Sequence, residues 1–404
     1  MVSDIDSQKI QKKINLYGSD LVDFCRDLIK IPSVNGLDKE KHIAALVIKK
    51  ARNLNLPARL IALDKDRPNV FIGTNYSHKK GLLFAAHLDT APVGNISLWK
   101  HKPFAGEIEG GKLYGRGAVD CKGGIALSVY TLKILSDLGY EDYAKFVAAS
   151  DEEIGADSPL GSKFLLKNGL NAEAAIYTYF GLDAIKIGHR GLVKISIEVL
   201  GEAVHAGSKS WQLGKKGANA ITATADFLQN LDKFRFKAKH NKDFPGYGFK
   251  QTPIYIEGGS SIGIVPDRVE MIIDARFLPD QDRNVYIKEI EELAKRKSKN
   301  KILIKTKTIK NVPGSVISRN EKIVKILQSL SKDLLNIKPA VEGAGPINEA
   351  YLFNNAGIPT VCGFGVEGEG AHSSDEYLEI DSLPKILEVY VRAAIELRSQ
   401  RPGI

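Results

Sequence analysis

The order in which strand-length apolar runs and helical periodicity alternate limits this chain more than any other feature. Short apolar runs stand at Asn69–Ile72, Leu82–Ala86, Phe146–Ala149 and Ala174–Tyr177, each bounded by polar or turn residues. They lack the apolar–polar alternation of a half-exposed strand, so they read as strands buried on both faces. Between two of them Ile125–Leu138 is helix-like, and Leu21, Phe24, Leu28 and Ile29 recur at helical spacing after a cap at Ser19. This alternation predicts an α/β layer, a mostly parallel sheet flanked by helices.

Near Gly191 the character changes. Leu192–Leu200 alternates, as a strand with one solvated face should. A helix-like stretch at Ala218–Leu231 follows, then strands at Ile254–Glu257 and Arg268–Arg276, a charged helix at Val285–Arg296 and a last alternating strand at Ile302–Thr308. After Val312-Pro313-Gly314 the α/β pattern resumes, with a helix at Glu321–Leu335 and a strand near Thr360–Gly363. A chain of 404 residues exceeds one ordinary core. The expected organisation is one α/β domain, residues 1–190 and 311–404, interrupted by an inserted α+β domain, residues 191–310.

Composition narrows the function. Cys25, Cys121 and Cys362 are odd in number and widely spaced, which argues against a disulfide framework or a CxxC metal site. Metal ligands, if any, should be carboxylates and imidazoles. No run approaches the ~18 apolar residues of a membrane helix. The opening MVSDIDSQKIQKK is polar and lacks the apolar stretch of a secretory signal, so a cytoplasmic address is expected. The net charge of +9 suits an acidic partner, yet the lysine-rich stretch Lys295–Lys310 reads first as a solvated surface. No nucleic-acid signature with interleaved aromatics accompanies it. Abundant Lys and Ile with little Met and Cys hint at a thermophilic source.

Four polar clusters follow apolar runs or glycine-rich turns: His87-Leu88-Asp89, Asp120 in GRGAVDCKGG, Asp151-Glu152-Glu153, and His372 in GEGAHSSDE. Singly, each has a bland explanation: an isolated histidine is usually structural, a DEE run is usually a solvated turn, and Asp120 among glycines suits a helix cap. Together they are harder to dismiss, because ligands of open α/β sheets gather at the carboxyl ends of strands. Imidazole and carboxylate donors suit zinc, cobalt or manganese. The spacing of His87 and Asp89 lets the carboxylate accept the second ring N–H and fix the tautomer.

The motifs HLDTAPVG, YGRGAVDCKGG, SDEEIGAD, GEAVHAGS and AHSSDEYLE resemble the co-catalytic zinc family of acetylornithine deacetylase, succinyl-diaminopimelate desuccinylase, aminoacylase and glutamate carboxypeptidase. The resemblance extends from about residue 20 to the C-terminus. It implies a zinc-peptidase-like catalytic domain and an inserted lid and dimerisation domain, hence a homodimer. It also implies one or two Zn2+ ions, with Co2+ or Mn2+ as alternatives. By the same resemblance His87 is a ligand of the first metal, oriented by Asp89, and Asp120 bridges both. Glu153 and His372 complete the second site, and Glu152 is the general base. His205 stabilises the oxyanion, and Arg276, in DARFLP, holds a substrate carboxylate. The implied reaction is amide hydrolysis of a small N-acyl amino acid, narrowed to an ornithine, lysine or diaminopimelate precursor. A dipeptidase or carboxypeptidase is the alternative within the family.

One position departs from the family pattern. Where a second carboxylate ligand of the first metal is expected, before Gly188-His189-Arg190-Gly191, the sequence offers Tyr179, or Thr178 if the loop differs by one residue. A phenol, with a pKa of ~10, is a poor zinc ligand. Tyr179 binds as phenolate, Asp183 reaches the metal instead, or the first site is weakened or differently completed; the last is favoured. A bland reading has Tyr179 merely packing beside the sheet. The substitution also leaves open a catalytically impaired homologue used for binding or regulation. Gly263 replaces an asparagine common in the family, whereas Glu349 keeps an acidic position.

Overall fold

A computed structural model describes residues 4–153, 157–236, 241–259 and 261–399. The chain forms two compact units: unit 1 comprises Met1–Gly188 and Val316–Ile404, and unit 2 is His189–Ser315.

Unit 1 is built on a six-stranded sheet in the order Ala58–Ile61, Asn69–Ile72, Ala144–Ala149, Leu82–His87, Ala174–Tyr177, Thr360–Val361. The last four strands are parallel, and Asn69–Ile72 runs against both its neighbours. Leu82, Phe84 and Ala86 enter one apolar cluster with Phe24, Ile125 and Val389, from helices Asp4–Lys30, Gly123–Asp137 and Ser382–Ser399. Leu83 and Ala85 enter another with Leu165, Tyr177, Phe353 and Ile358. Both faces are therefore covered, which accounts for the missing alternation. The first helix begins by Asp4 rather than at Ser19. Ile10 and Ile14 are buried in the stripe that continues through Leu21, Phe24 and Leu28, each such side chain contributing about 1.5–3 kcal/mol.

A smaller antiparallel sheet in unit 1 orders Gly368–Glu369, Tyr377–Glu379, Lys112–Tyr114 and Glu107–Glu109. Tyr377 pairs with Tyr114, so the segments 370–376 and 115–120 leave the sheet side by side. That register brings two distant motifs together.

Unit 2 is a four-stranded antiparallel sheet, ordered Lys250–Gly258, Arg268–Phe277, Gly191–Leu200, Leu303–Val312. Val193, Ile195, Ile197, Met271 and Ile273 pack with Phe227, Leu231, Tyr286 and Ile290 of helices Ala220–Leu231 and Arg283–Lys297. Alternate residues of the same strands point to the other face. No helix among the described residues is long and apolar enough to cross a membrane.

Candidate active site

Three neighbouring parallel strands of unit 1 deliver chemistry at their carboxyl ends. Leu82–His87 ends on His87, with Asp89 two residues on; Ala144–Ala149 leads to Glu152 and Glu153; Ala174–Tyr177 leads to Tyr179. Asp120 lies on the irregular turn Ala118–Lys122, with φ −122° and ψ 83° and a cis peptide to Cys121. It does not cap the helix Gly123–Asp137, which has no side-chain cap. Gly124 lets this helix approach the strand end, since a Cβ there would lie 2.3 Å from Thr178 Oγ1.

Asp120 is the hub. Its Oδ1 lies 2.8 Å from Nε2 of fully buried His87, and its Oδ2 lies 3.2 Å from Nε2 of His372. His372 Nε2 is also 3.3 Å from Glu153 Oε2. Among the described residues two sets of ligand-type atoms result, Asp120 with Glu153 and His372, and Asp120 with His87 and Cys121. Hydrogen bonds that His372 donates to the Asp120 and Glu153 carboxylates push its pKa up to about 10. The imidazoles of His372 and His87 outweigh the burial of Asp120 and hold its carboxyl at about 2.

Asp89 corrects an expectation. His87 Nδ1 lies 2.8 Å from the main-chain carbonyl of Asp89 but 3.7 Å from its carboxylate. The ring N–H therefore goes to the backbone, and the tautomer is fixed that way. Meanwhile the carboxylate accepts from the amides of Glu152 (3.1 Å) and Glu153 (2.9 Å) and from Asn35 Nδ2 (2.7 Å). Asp89 thus holds the Glu152–Glu153 turn. The remaining oxygens of that turn are telling: Oε1 of Glu152 and Oε1 of Glu153 are buried without a hydrogen-bond partner among the described residues. Burial, reinforced by the Glu153 and Glu349 carboxylates, pushes Glu152 well above the usual carboxylate range.

Tyr179 does reach the His87 side, its ring centroid 5.6 Å from that of His87, and it stacks on Tyr177 at 5.0 Å. Burial and the charges of Glu152 and Asp120 push its phenol well above 10, against a phenolate. Thr178 is buried and donates to the Ala85 carbonyl at 3.2 Å, as strand-end structure. Asp183 is exposed and belongs to neither ligand set, so it is not brought to the His87 side.

Three contributors carried no local sequence signal. Asn35 ties Asp89 to Asp151, donating to Asp151 Oδ1 at 2.9 Å; an Asn before a Gly reads only as a turn. Cys121 accepts from the His87 amide at 3.2 Å and donates to the His87 carbonyl, so its thiol serves the backbone. Buried Glu376 accepts from the amides of Gly117, Val119 and Asp120 and from Arg116 Nη1 at 2.6 Å, fixing the turn that carries Asp120. Breaking that buried pair from one side would cost about 3–5 kcal/mol. Buried Glu349, bonded by Ser162 and pushed to about 7 mainly by burial, adds charge behind Glu152.

In unit 2, exposed His205 accepts from the Gly207 amide at Nδ1, 3.1 Å away, which leaves the proton on Nε2. Arg276 donates from Nε and Nη2 to Asp274 at 2.6 and 3.1 Å.

The model of peptidase family M20/M25/M40 matches residues 83–396. The chain is 28% identical to an uncharacterized metallohydrolase of Methanocaldococcus jannaschii, over 90% of this chain and 96% of that protein. It is also 28% identical to succinyl-diaminopimelate desuccinylase of Rickettsia akari, over 79% of this chain and 84% of that one. Among solved structures, an M20 family metallo-carboxypeptidase from Sulfolobus solfataricus superposes with a TM-score of 0.74 at 22% identity, covering 92% of this chain and 98% of that one.

Proposed function

From the premise that this chain belongs to peptidase family M20/M25/M40, we propose that it is a metal-dependent hydrolase of the amide bond in a small N-acyl amino acid. The observation that carries this reading is Glu152, a buried carboxylate with an orphan oxygen beside two ligand sets that share Asp120. The orphan Oε1 of Glu153 and the imidazole–carboxylate donor set fit an ion of the zinc class, zinc first and cobalt or manganese next. Asp120, Glu153 and His372 would hold one ion, and His87 with Asp120 a second. Ions bound there would lower the pKa of water and polarise the amide carbonyl.

Everything else falls to the chain's own groups. Glu152, its carboxyl raised above the usual range by burial, takes the proton of the attacking water and passes it to the leaving nitrogen. The Asp89 carbonyl keeps the proton of His87 on Nδ1, freeing Nε2 for a ligand's role, and the Asp89 carboxylate fixes the turn from which Glu152 acts. His205, with its proton on Nε2, donates to the oxyanion, a contribution typically worth about 2.7–4 kcal/mol. Arg276, its Nε–Nη2 edge held by Asp274, offers its remaining Nη donors to the substrate carboxylate.

The two ion positions are unequal in this reading. The His87 side has one imidazole, the shared Asp120 and a phenol kept protonated. A single tight ion at Asp120–Glu153–His372 follows, with a weaker one beside His87.

Unit 2 is also the proposed lid and dimerisation domain. Its edge strand Lys250–Gly258 exposes Ile254, Tyr255 and Ile256, a row suited to pairing with a second copy. Light scattering that gives a monomer would remove the dimer.

A hydrolysis screen across N-acetyl and N-succinyl amino acids and dipeptides tests the function, with zinc supplied. Turnover of acyl amino acids is expected, and Glu152→Gln should lower kcat by about 100- to 10,000-fold. Preferential cleavage of dipeptides would shift the assignment to a peptidase. Unchanged turnover in Glu152→Gln would refute the general base.

A further inference from the structure

The turn that carries Glu152 has a second set of holders besides Asp89. Its first residue, Asp151, has φ +66°, a left-handed conformation that a non-glycine residue keeps only where its surroundings impose it. Those surroundings follow from strand direction. Asn69–Ile72 runs against Ala144–Ala149, so its beginning lies beside the end from which residues 150–153 depart. Three successive residues there grip that segment. The Pro68 carbonyl accepts from Ser150 Oγ at 2.7 Å, and Asn69 Oδ1 accepts from the Ser150 amide at 2.9 Å. Arg67 Nη1 lies 2.6 Å from Asp151 Oδ1.

Arg67 also binds Glu40, from Nε to Oε2 at 2.8 Å and from Nη2 to Oε1. Glu40 opens helix Lys41–Asn53, where a carboxylate favours the free helix amides, yet its side chain makes no cap bond. It turns inward instead, 1% exposed, and accepts from the Asp151 amide at 3.2 Å. The successive amides of Asp151, Glu152 and Glu153 thus all go to carboxylates, the first to Glu40 and the next two to Asp89. Asp151 joins the two holders, because its Oδ1 also accepts from Asn35 and its Oδ2 from Ser158 Oγ. Glu40 and Asp151 are both buried and of like charge, and the Arg67 guanidinium pairs with each.

We propose that Arg67, with Glu40, is a positioning residue for the hydrolysis, the clamp that fixes the Asp151 turn and so aims Glu152. A planar guanidinium can bind Glu40 along one edge and Asp151 at its remaining nitrogen, a geometry that a lysine ammonium cannot reproduce. Neither Arg67 nor Glu40 belongs to a ligand set, so the clamp acts through the turn. The assignment rests on the reading of Glu152 as the general base.

Arg67→Lys, which keeps a cation between the two carboxylates but loses the fork, tests the clamp in the full chain with zinc supplied. On the best substrate of the hydrolysis screen, kcat should fall about 10- to 100-fold while KM stays within about twofold. In the Glu152→Gln background the same change should cost less than about twofold, because the group that Arg67 aims is already gone. Glu40→Gln, nearly isosteric and still able to accept the Asp151 amide, is the second variant and should lower kcat about tenfold. A readout independent of turnover is amide hydrogen exchange in a peptide covering residues 146–153. Either variant should speed its slow amides about tenfold, the loss expected for one charge-assisted contact. Unchanged kcat, a loss carried by KM, a full penalty in the Glu152→Gln background, or unchanged exchange would overturn the proposal. Wild-type turnover in Glu152→Gln would instead refute the general base, and faster exchange beside it would leave Arg67 as the clamp of the turn.

Discussion

The two sides of Asp120 differ in what faces it. On one, His372 and Glu153 bring an imidazole and a carboxylate to within 3.3 Å of each other, and a second Glu153 oxygen is left without a partner. On the other, His87 is the sole imidazole among the described residues, the Cys121 thiol is spent on the His87 backbone, and Tyr179 presents a phenol whose pKa burial and the nearby carboxylates push up. Both sides are supplied from strand ends or glycine-bounded turns of the same unit. A strand-end position therefore does not by itself make a ligand; the donor type and what else claims it decide.

That contrast can be broken by substitution, beginning with the largest effect. His372→Ala should weaken binding of the tight ion by more than about 100-fold, beyond the 10–100-fold typical of outer groups. His87→Ala should leave that ion in place and remove only the weaker one. Isothermal titration with zinc reads both, and equal losses would erase the distinction. Next, Tyr179→Glu should supply the missing carboxylate and tighten the weaker ion by about 10- to 100-fold. Tyr179→Phe should change neither affinity by more than about twofold if the phenol is no ligand. Asn35→Ala should cost about tenfold on both sides alike, since Asn35 steadies Asp89, which serves His87 through its carbonyl and Glu153 through its carboxylate.

Proton competition gives a smaller, graded signature. An ion displaces the proton of His372, which its carboxylate neighbours push up to about 10. Apparent affinity of the tight ion should thus climb with pH, by about tenfold per unit, and keep climbing toward pH 10. A plateau just above 6.5 would show that the Asp120 and Glu153 bonds to His372 do not persist in solution.

Much of this architecture was legible because each polar cluster breaks off a fully apolar run. His87 and Glu152 follow Leu82–Ala86 and Phe146–Ala149, and strands of that kind are buried and parallel. The departure at Tyr179 was also visible, because it replaces a donor type rather than a contact. What stayed hidden are interactions that need the third dimension. Asp89 sits two residues after His87, a spacing that suggests a side-chain bond, yet its own carbonyl takes that role. Asn35 and Glu376 act through distances no local pattern encodes, the latter because Tyr377 pairs with Tyr114. The start of the first helix was misplaced because Ser19 resembles a cap, although the stripe through Ile10 and Ile14 continues across it.

Metal stoichiometry tests the unequal centre most directly. Equilibrium dialysis of the full chain against zinc, over a range of free concentrations, should fill one site first and a second only at roughly 100-fold higher zinc. Removing His372 should abolish the first step and spare none of its affinity. Two sites of equal affinity, or a first step that survives His372→Ala and disappears with His87→Ala, would contradict the account.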